Sequence, residues 1–228
     1  MTWGSFQEGH AVAHECLGRL HSNICGPMEV PSLGKQHYFS ILVDDKTGYL
    51  WFYPCFAKSD FMPWFIKMDS FFMNHYQSHI KILRSDQGGE YVNTALEDYC
   101  AKFGITMEFT VPHTPEQNGI TEHANQKILD KGRTIMKDSS APDFLWADAF
   151  ATAVYAINRM AGSHSDSMTP FKAFFGEKPN ISHMCVWYSD MFIHQPKSLS
   201  AAKLGEHGHQ VKFLGYPDNS AGYRTYDL

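Results

Sequence analysis

The segment "HYFSILVDDKTGYLWFYPC", residues 37–55, predicts two β-strands joined by a tight turn. Both halves are rich in aromatic and β-branched side chains, which favour extended backbone, and "DKTG" supplies turn residues between them. We therefore expect an antiparallel hairpin. The segment "LGRLHSNIC", residues 17–25, is expected to add a third strand in front of it.

Helices and strands alternate after the hairpin. Strand-like runs cover 80–86 and 105–111, and helical patterns cover 64–76, 93–104, 120–138 and 143–161. Asn93 is a suitable N-cap and Gly104 a suitable C-cap for the second helix. The third helix places Ala124, Ile128, Gly132, Ile135 and Met136 on one side, so it should bury that face. The Pro-rich segment 112–119 is expected to be a loop, which puts Glu122 in the first turn of that helix.

Short strand-like runs separated by Gly, Pro, Asp and Asn begin at about residue 183 and predict a small β-barrel module. The preceding segment, 176–183, is the expected linker. The chain is thus predicted to form an α/β layered domain followed by a small all-β module.

Composition limits the possible functions. The chain has 228 residues, of which 43% are hydrophobic, enough for one sizeable domain and a small one. It has no apolar run of membrane-spanning length and no signal-peptide pattern, so we expect an intracellular protein without a membrane partner. Because its formal net charge is −5, any contact with nucleic acid should be local.

The five cysteines are scattered and form no CxxC pair, so reduced thiols are expected. Histidines and cysteines do cluster near the start, but their spacing fits no standard zinc module, and we expect no zinc there. The cluster comprises His10, His14, Cys16, His21 and Cys25.

Two acidic residues lie at positions suited to metal chemistry. Asp86 ends a predicted buried strand, and Glu122 follows with 35 residues between them. Asn23 ends the first predicted strand, and in a mixed sheet these ends can converge. Three convergent carboxylates can hold the two Mg²⁺ ions used in phosphoryl transfer. The spacing alone is a weak signal, because many proteins share it.

Five segments occur together in one order: "HSNICGPM" (21–28), "YFSILVDDKTGYLWFY" (38–53), "LRSDQGGEY" (83–91), "PHTPEQNGITEHANQKIL" (112–129) and "GEKPNISH" (176–183). With them the chain resembles the integrase of copia-type retrotransposons from about Leu17 onward. The resemblance implies an RNase H-like fold, with a mixed five-stranded sheet flanked by helices, that cuts and joins DNA with an Asp, Asp, Glu triad and Mg²⁺ or Mn²⁺.

The same resemblance divides the chain into an N-terminal extension (1–16), an integrase catalytic core (17–178) and an SH3-like β module (183–228). An intact element would carry a zinc module upstream and a reverse transcriptase downstream, so a truncated piece is expected. The implied partners are the DNA ends of the element and its target, with a homo-oligomer as a further possibility. A working integrase would act in the nucleus.

In this resemblance Asp86 and Glu122 are the second and third catalytic residues and the metal ligands, whereas the first Asp position holds Asn23. An amide offers one neutral oxygen where two metals require a shared anion, so metal binding should be impaired. Asp44 and Asp45 are not expected to substitute, because Asp at a hairpin turn commonly bonds its own backbone.

The candidate DNA contacts surround this triad. Relatives usually carry arginines where this chain has His123 and Gln126, which removes two phosphate-binding cations. The remaining candidates are Arg84, Gln117, Asn118, Asn125, Lys127, Lys131 and Arg133. For Lys127 and Arg133 a solvated helix face is an equally good interpretation.

Three functions remain open at this stage. The chain could be a working DNA strand transferase that tolerates Asn23, or an impaired integrase core that keeps its fold and a nucleic-acid surface. It could also be a domesticated or decayed scaffold that acts through protein or nucleic-acid binding alone. The second hypothesis explains the Asn23, His123 and Gln126 replacements best.

Overall fold

The computed structural model describes residues 12–110, 115–161, 168–194, 208–217 and 222–227, with backbone only for 115–118. A five-stranded mixed sheet forms its centre, in the order β3-β2-β1-β4-β5. The strands are β1 (Leu20–Cys25), β2 (Tyr38–Asp44), β3 (Leu50–Cys55), β4 (Ile82–Ser85) and β5 (Thr106–Phe109). β1, β2 and β3 pair antiparallel, whereas β4 runs parallel to β1 and to β5. This is the mixed five-stranded sheet expected from the sequence.

The hairpin predicted from residues 37–55 is confirmed. Tyr38 lies opposite Cys55 and Val43 lies opposite Leu50 in its register. Gly48 has a φ of 68°, a left-handed conformation that glycine adopts without a Cβ clash. Asp44 closes the turn, because its carboxylate accepts hydrogen bonds from the Thr47 amide at 2.9 Å and the Thr47 hydroxyl at 2.7 Å.

Five helices accompany the sheet in the described part of the chain: α1 (Phe61–Tyr76), α2 (Thr94–Phe103), α3 (Pro115–Ser139), α4 (Trp146–Arg159) and α5 (Pro170–Phe175). Both predicted caps of α2 are confirmed. The Asn93 side chain accepts a hydrogen bond from the Leu96 amide at 2.9 Å, and Gly104 ends the helix with a φ of 70°.

The start of α3 corrects the sequence prediction. Segment 112–119 was expected to be a loop, but the helix begins at Pro115, so Glu122 lies beyond its first turn. Proline is favoured at the first helical position, where its missing N–H would have no helical partner anyway. Gly119 within the helix costs only about 1 kcal/mol relative to alanine, which the longer helix can tolerate.

The sheet separates two apolar clusters. One face packs against α1, α2 and α5 through fully buried side chains such as Phe61, Phe65 and Leu83. The other face packs against α3 and α4, where Ile128 and Phe150 meet Phe39. Of the five α3 residues predicted to share a face, Ala124 and Ile128 are buried, Gly132 is covered by Phe150, and Ile135 and Met136 are partly buried. The helix therefore buries the face expected.

A second, three-stranded antiparallel sheet contains β6 (Asp190–His194), β7 (Gly208–Gly215) and β8 (Arg224–Asp227), in the order β6-β7-β8. It is the small β module expected after residue 183. It lies against α4, because the Thr152 hydroxyl on α4 donates to the Leu214 carbonyl of β7 at 3.0 Å. The same carbonyl accepts the indole N–H of Trp187, which precedes β6, at 3.0 Å. Trp187 and Leu214 also join the apolar cluster of α3 and α4. The domain boundaries themselves remain predictions.

All five cysteines lie within the described ranges, and none forms a disulfide. Burial raises the pKa of the Cys55 thiol and that of the Cys100 thiol to about 11, so both stay protonated at neutral pH. Among the described helices, none combines the length and apolar character needed to cross a lipid bilayer.

Candidate active site

The parallel pairing of β1 with β4 places Asn23 beside Asp86. Leu20 lies opposite Leu83 and His21 lies opposite Arg84. Continuing this register by two residues brings Asn23 level with Asp86, which directly follows β4. Neighbouring strands lie about 4.8 Å apart, and paired residues of parallel strands point to the same face. Asn23 and Asp86 thus share one face at adjacent carboxyl ends.

Helix α3 meets β1 at this place. The Asn125 side-chain amide Nδ2 donates a hydrogen bond to Asn23 Oδ1 at 2.8 Å. Both residues are half-buried, and Asn125 Oδ1 is a buried oxygen without a hydrogen-bond partner in the described part of the structure. This hydrogen bond between the two side-chain amides joins α3 to β1 beside the candidate site.

Glu122 precedes Asn125 by three residues, so the two side chains emerge from one side of α3. Glu122 is exposed. The contact between Asn125 and Asn23 therefore places Glu122 one turn from the end of β1. The three predicted site residues come from β1, the end of β4, and α3. That they act together as a catalytic site stays a prediction.

Asp86 is half-buried and held by its own loop. Its Oδ1 accepts a hydrogen bond from the Gly88 amide at 3.0 Å, and the Tyr91 amide bonds the Gly88 carbonyl at 2.9 Å. On the opposite face of β1, the buried Tyr91 hydroxyl lies 2.8 Å from the Ser22 hydroxyl. The Tyr91–Ser22 contact thus joins the loop after β4 to one face of β1. The Asp86 side chain lies on the opposite face of the sheet, with Asn23.

Asp44 bonds its own turn, as predicted, whereas Asp45 bonds groups outside the turn. Asp44 is fully buried and accepts the Leu17 amide at 2.8 Å as well as the Thr47 groups. Asp45 Oδ1 lies 3.0 Å from His21 Nε2, and its Oδ2 accepts the Ala13 amide at 2.7 Å. Burial alone would raise the pKa of Asp45, but the His21 contact, the Ala13 amide and Arg19 together hold that pKa below its usual value.

Arg84 lies two residues before Asp86, so the two side chains are on the same face of the sheet. Its side chain is only 6% exposed, and its Nη1 lies 3.6 Å from Glu108 Oε2. Arg19 reaches the same carboxylate, with its Nε at 3.3 Å. This burial argues against the predicted DNA contact of Arg84, since a phosphate cannot approach a covered guanidinium.

The other candidate DNA contacts lie on α3. Lys131 and Arg133 are exposed, and Lys127 is half-buried. Arg133 lies near the end of β1: burial raises the pKa of the Cys25 thiol, and the Arg133 charge counters part of that rise. Gln126 Nε2 donates to Asp130 Oδ1 at 2.8 Å, so it is engaged along the helix. The side chains of Gln117 and Asn118 fall outside the described residues.

The sequence did not reveal the role of Asn125 toward Asn23 or the ion-pair network of Arg19, His21, Asp45, Arg84 and Glu108. The only available signal was the placement of charged residues at alternate positions of strands that were expected to be buried. Such a pattern does not say which residue bonds which.

The donor set fits a pair of divalent metal ions poorly. Asp86 and Glu122 supply two carboxylates, and Asn23 supplies an amide oxygen already bonded to Asn125. Within the described ranges, no three His, Cys, Asp or Glu side chains are grouped closely enough to hold a metal. Hard divalent ions are held most strongly by anionic oxygen ligands, and a bridged pair of ions is best served by a carboxylate shared between them.

The mixed sheet and the helices on both of its faces define an RNase H-like fold. The solved structures that share this fold include two integrases. The catalytic core domain of BIV integrase superposes with a TM-score of 0.50 at 16% identity, covering 70% of this chain and 95% of that one. A chain of the simian T-cell lymphotropic virus intasome, in complex with the PP2A regulatory subunit B56 gamma, superposes with a TM-score of 0.58 at 13% identity. The match covers 100% of this chain and 81% of that one.

Sequence comparison identifies the family. Residues 14–115 match the model of the integrase core domain. The retrovirus-related Pol polyprotein from transposon TNT 1-94 of Nicotiana tabacum is 34% identical over 98% of this chain. The chain therefore belongs to the integrase core family, in the group found in copia-type retrotransposon Pol polyproteins. It spans 17% of the length of the tobacco polyprotein.

Proposed function

We propose that this chain is a retrotransposon integrase core that binds DNA but has lost most of its strand-transfer activity. Integrase cores of this family generally use divalent metal ions. The observation that carries the proposal is Asn23, which is level with Asp86 in the sheet and whose oxygen is bonded to Asn125. An uncharged residue there leaves two carboxylates to hold two divalent ions.

The proposed DNA surface is the exposed side of α3. Arg133 lies eleven residues after Glu122 and on the same side of α3, so a DNA backbone bound there would pass the candidate site. Lys127 and Lys131, five and nine residues after Glu122, lie towards the opposite flank of the helix and would extend the surface away from the site. Each neutralised phosphate releases counterions, so binding should weaken steeply with salt. We further propose that DNA ends and a second copy of the chain are the partners, and that the nucleus is the place of action.

The DNA surface is tested by fluorescence anisotropy with a labelled duplex at several salt concentrations. The variant Lys127→Gln/Lys131→Gln removes two positive charges from α3. Its control, Lys67→Gln/Lys102→Gln, removes two from α1 and α2 on the other face of the sheet. We expect the α3 variant alone to bind more weakly, with a slope of log K against log salt that is smaller by about 0.9 for each phosphate no longer neutralised. Equal weakening in both variants would refute a local surface.

Impairment is tested separately, by strand transfer with the unmodified chain, DNA ends of the element and Mg²⁺ or Mn²⁺. We expect no joined product above background. Efficient joining would refute the loss of activity while leaving the DNA surface intact.

A further inference from the structure

A cleft lies between the end of α3 and the small sheet. Its volume is about 330 Å³, which is at the lower end of the range for small-ligand sites. One wall consists of Ile135, Asp138 and Ser139, all in the last turns of α3. The rest is lined by the segment 186–189, which leads into β6, and by Lys212 of β7. None of the candidate active-site residues lines this cleft.

The segment 186–189 presents apolar and aromatic surface to the cleft. Val186 is 78% exposed, and the ring centroids of Trp187 and Tyr188 lie 5.6 Å apart with 31° between the ring planes. A planar or apolar group that packs against such a surface gains free energy by releasing water. The cleft is therefore suited to a group that is at least partly apolar.

This wall is held in place by the backbone. Tyr188 has a φ of 63°, a left-handed conformation that is rare for a bulky side chain and is often found at ligand sites. The Tyr188 amide donates to the Phe213 carbonyl at 2.8 Å, and the Phe213 amide donates to the Ser189 carbonyl at 2.9 Å. Because both bonds anchor the segment to β7, a ligand pays little entropy to order it.

The charge of the cleft favours a cation. Lys212 Nζ lies 2.6 Å from Asp190 Oδ1, so the charge of Lys212 is compensated. Asp138 is exposed and forms no ion pair with any residue in the described part of the chain. It lies in the last turn of α3, where the helix dipole also favours positive charge. Lys137 lies on the other side of the helix from Ile135, so it does not neutralise the cleft.

We propose that this cleft binds an arginine side chain on a peptide segment of a protein partner. A guanidinium is planar, stacks on aromatic rings and bonds a carboxylate through two N–H groups. It can therefore pack on Tyr188 while it pairs with Asp138, and its apolar stem can lie against Val186. A lysine ammonium would pair with Asp138 but would not stack. The inference goes beyond the proposed function, because it concerns neither DNA nor metal.

Binding is measured by ¹H–¹⁵N NMR of the full chain, titrated with the peptide acetyl-Ala-Leu-Arg-Leu-Ala-amide. We expect saturable shifts of the backbone amides of 186–189 and Lys212. The same peptide with citrulline, a neutral analogue of arginine with nearly the same shape, should bind about threefold or more weakly, since it cannot form the ion pair. Equal affinity for the two peptides, or no saturable shift with the arginine peptide, would overturn the proposal.

Asp138→Asn should weaken binding of the arginine peptide by up to about fivefold, the value of one exposed ion pair, and should leave the citrulline peptide unaffected. Asp130→Asn is the matched control, because Asp130 is exposed on the same helix but lies outside the cleft, bonded to Gln126. It should not change the affinity. If both variants weaken binding equally, the effect is one of total charge and the cleft is not the site.

Val186→Ser tests the apolar wall. It should weaken binding of both peptides, and because Val186 is 78% exposed, the urea midpoint of unfolding should stay unchanged. Unaltered affinity in this folded variant would count against the cleft as the binding site.

A short single-stranded oligonucleotide is titrated in the same way. We expect it to leave the signals of 186–189 unmoved, because Asp138 repels phosphate. Shifts there with the oligonucleotide but not with the arginine peptide would make the cleft part of a nucleic-acid surface and refute the proposal. The DNA-surface variant Lys127→Gln/Lys131→Gln should still bind the arginine peptide, so failure of the proposed function and failure of this inference are distinguishable.

Discussion

At the residue scale, Asn23 has almost the shape of aspartate but lacks its charge. The fold keeps this side chain in register with Asp86 and in contact with α3. Packing therefore does not distinguish the two residues at this position, whereas metal binding does. The chain can lose the chemistry of the site without losing its geometry.

We expect Asn23→Asp to raise Mg²⁺ and Mn²⁺ affinity, because it adds a third negative charge where both ions would meet. Any strand cutting should appear only with this carboxylate, since loss of metal-assisted stabilisation is worth orders of magnitude in rate. Titration calorimetry measures the affinity, and cleavage of labelled DNA measures the activity.

Asn74→Asp is the control for added charge, since it lies exposed on α1. The variant with most activity should also carry His123→Arg and Gln126→Arg, which restore phosphate-binding cations to α3. Equal metal binding by the unmodified chain and Asn23→Asp would contradict the assigned role of the charge.

Asp45 has a pH-dependent effect whose sign follows from its contacts. Its pKa is lowered in the folded chain, so it contributes stability above its unfolded pKa, about 3.9, and this contribution is lost as the pH falls through the folded pKa. We expect Asp45→Asn to unfold at lower urea at neutral pH and to lose less further stability below about pH 4. Asp98→Asn, exposed on α2, should keep the acid dependence of the unmodified chain. Urea midpoints across the acid range measure the difference.

At the element scale, α3 both carries Glu122 and packs on α4, and Gly132 sets the distance between the two helices. A Cβ at Gly132 would lie 2.2 Å from a ring carbon of Phe150, a buried side chain. The contact explains why a helix former such as alanine is not used there. The small residue allows α3 to approach closely enough for Asn125 to reach β1.

Gly132→Ala should destabilise the chain by about 1–3 kcal/mol, because Phe150 cannot move away within a packed core. Gly119→Ala, in the same helix with nothing within 4 Å of its added Cβ, is the matched control. It should stabilise the chain by up to about 1 kcal/mol through helix propensity. Thermal unfolding followed by circular dichroism compares them, and equal effects would refute the close approach.

The strands, the hairpin and the caps of α2 could be predicted from the sequence because each depends on local patterns. Asn93 and Gly104 can be recognised as caps from their residue types and from their positions at the two ends of α2. The start of α3 at Pro115 was missed, since Pro and Gly indicate a loop as readily as the first turn of a helix. The burial of Arg84 and its pairing with Glu108 could not be predicted, because they depend on which strands become neighbours.

At the scale of the whole molecule, the small sheet shares apolar contacts with the core. Trp187 and Leu214 lie in the cluster of α3 and α4, and Arg224 Nη2 lies 2.6 Å from the buried Asp148 Oδ1. The segment of chain that leads from the core to the small sheet is exposed at Glu177 and Lys178. An exposed connection can thus join two parts that remain in contact.

We expect a glutamate-specific protease to cut at Glu177, and the two pieces to elute together in gel filtration until urea is added. Glu177→Gln should remove this cut. Pieces that separate without denaturant would show that the contacts of Trp187 and Leu214 are too weak to hold the sheet on α4.

The parallel pairing of β1 with β4 also affects the time course of folding. The hairpin of β2 and β3 closes over a few residues, whereas the pairing of β4 with β1 closes a loop of chain that contains the whole hairpin and α1. Closing a longer loop costs more chain entropy, and nonlocal pairing slows folding. In pulse-labelled hydrogen exchange, amides of β2 and β3 should become protected before those of β4. The neighbourhood of Asn23 and Asp86 would then be among the last parts of the sheet to form during refolding.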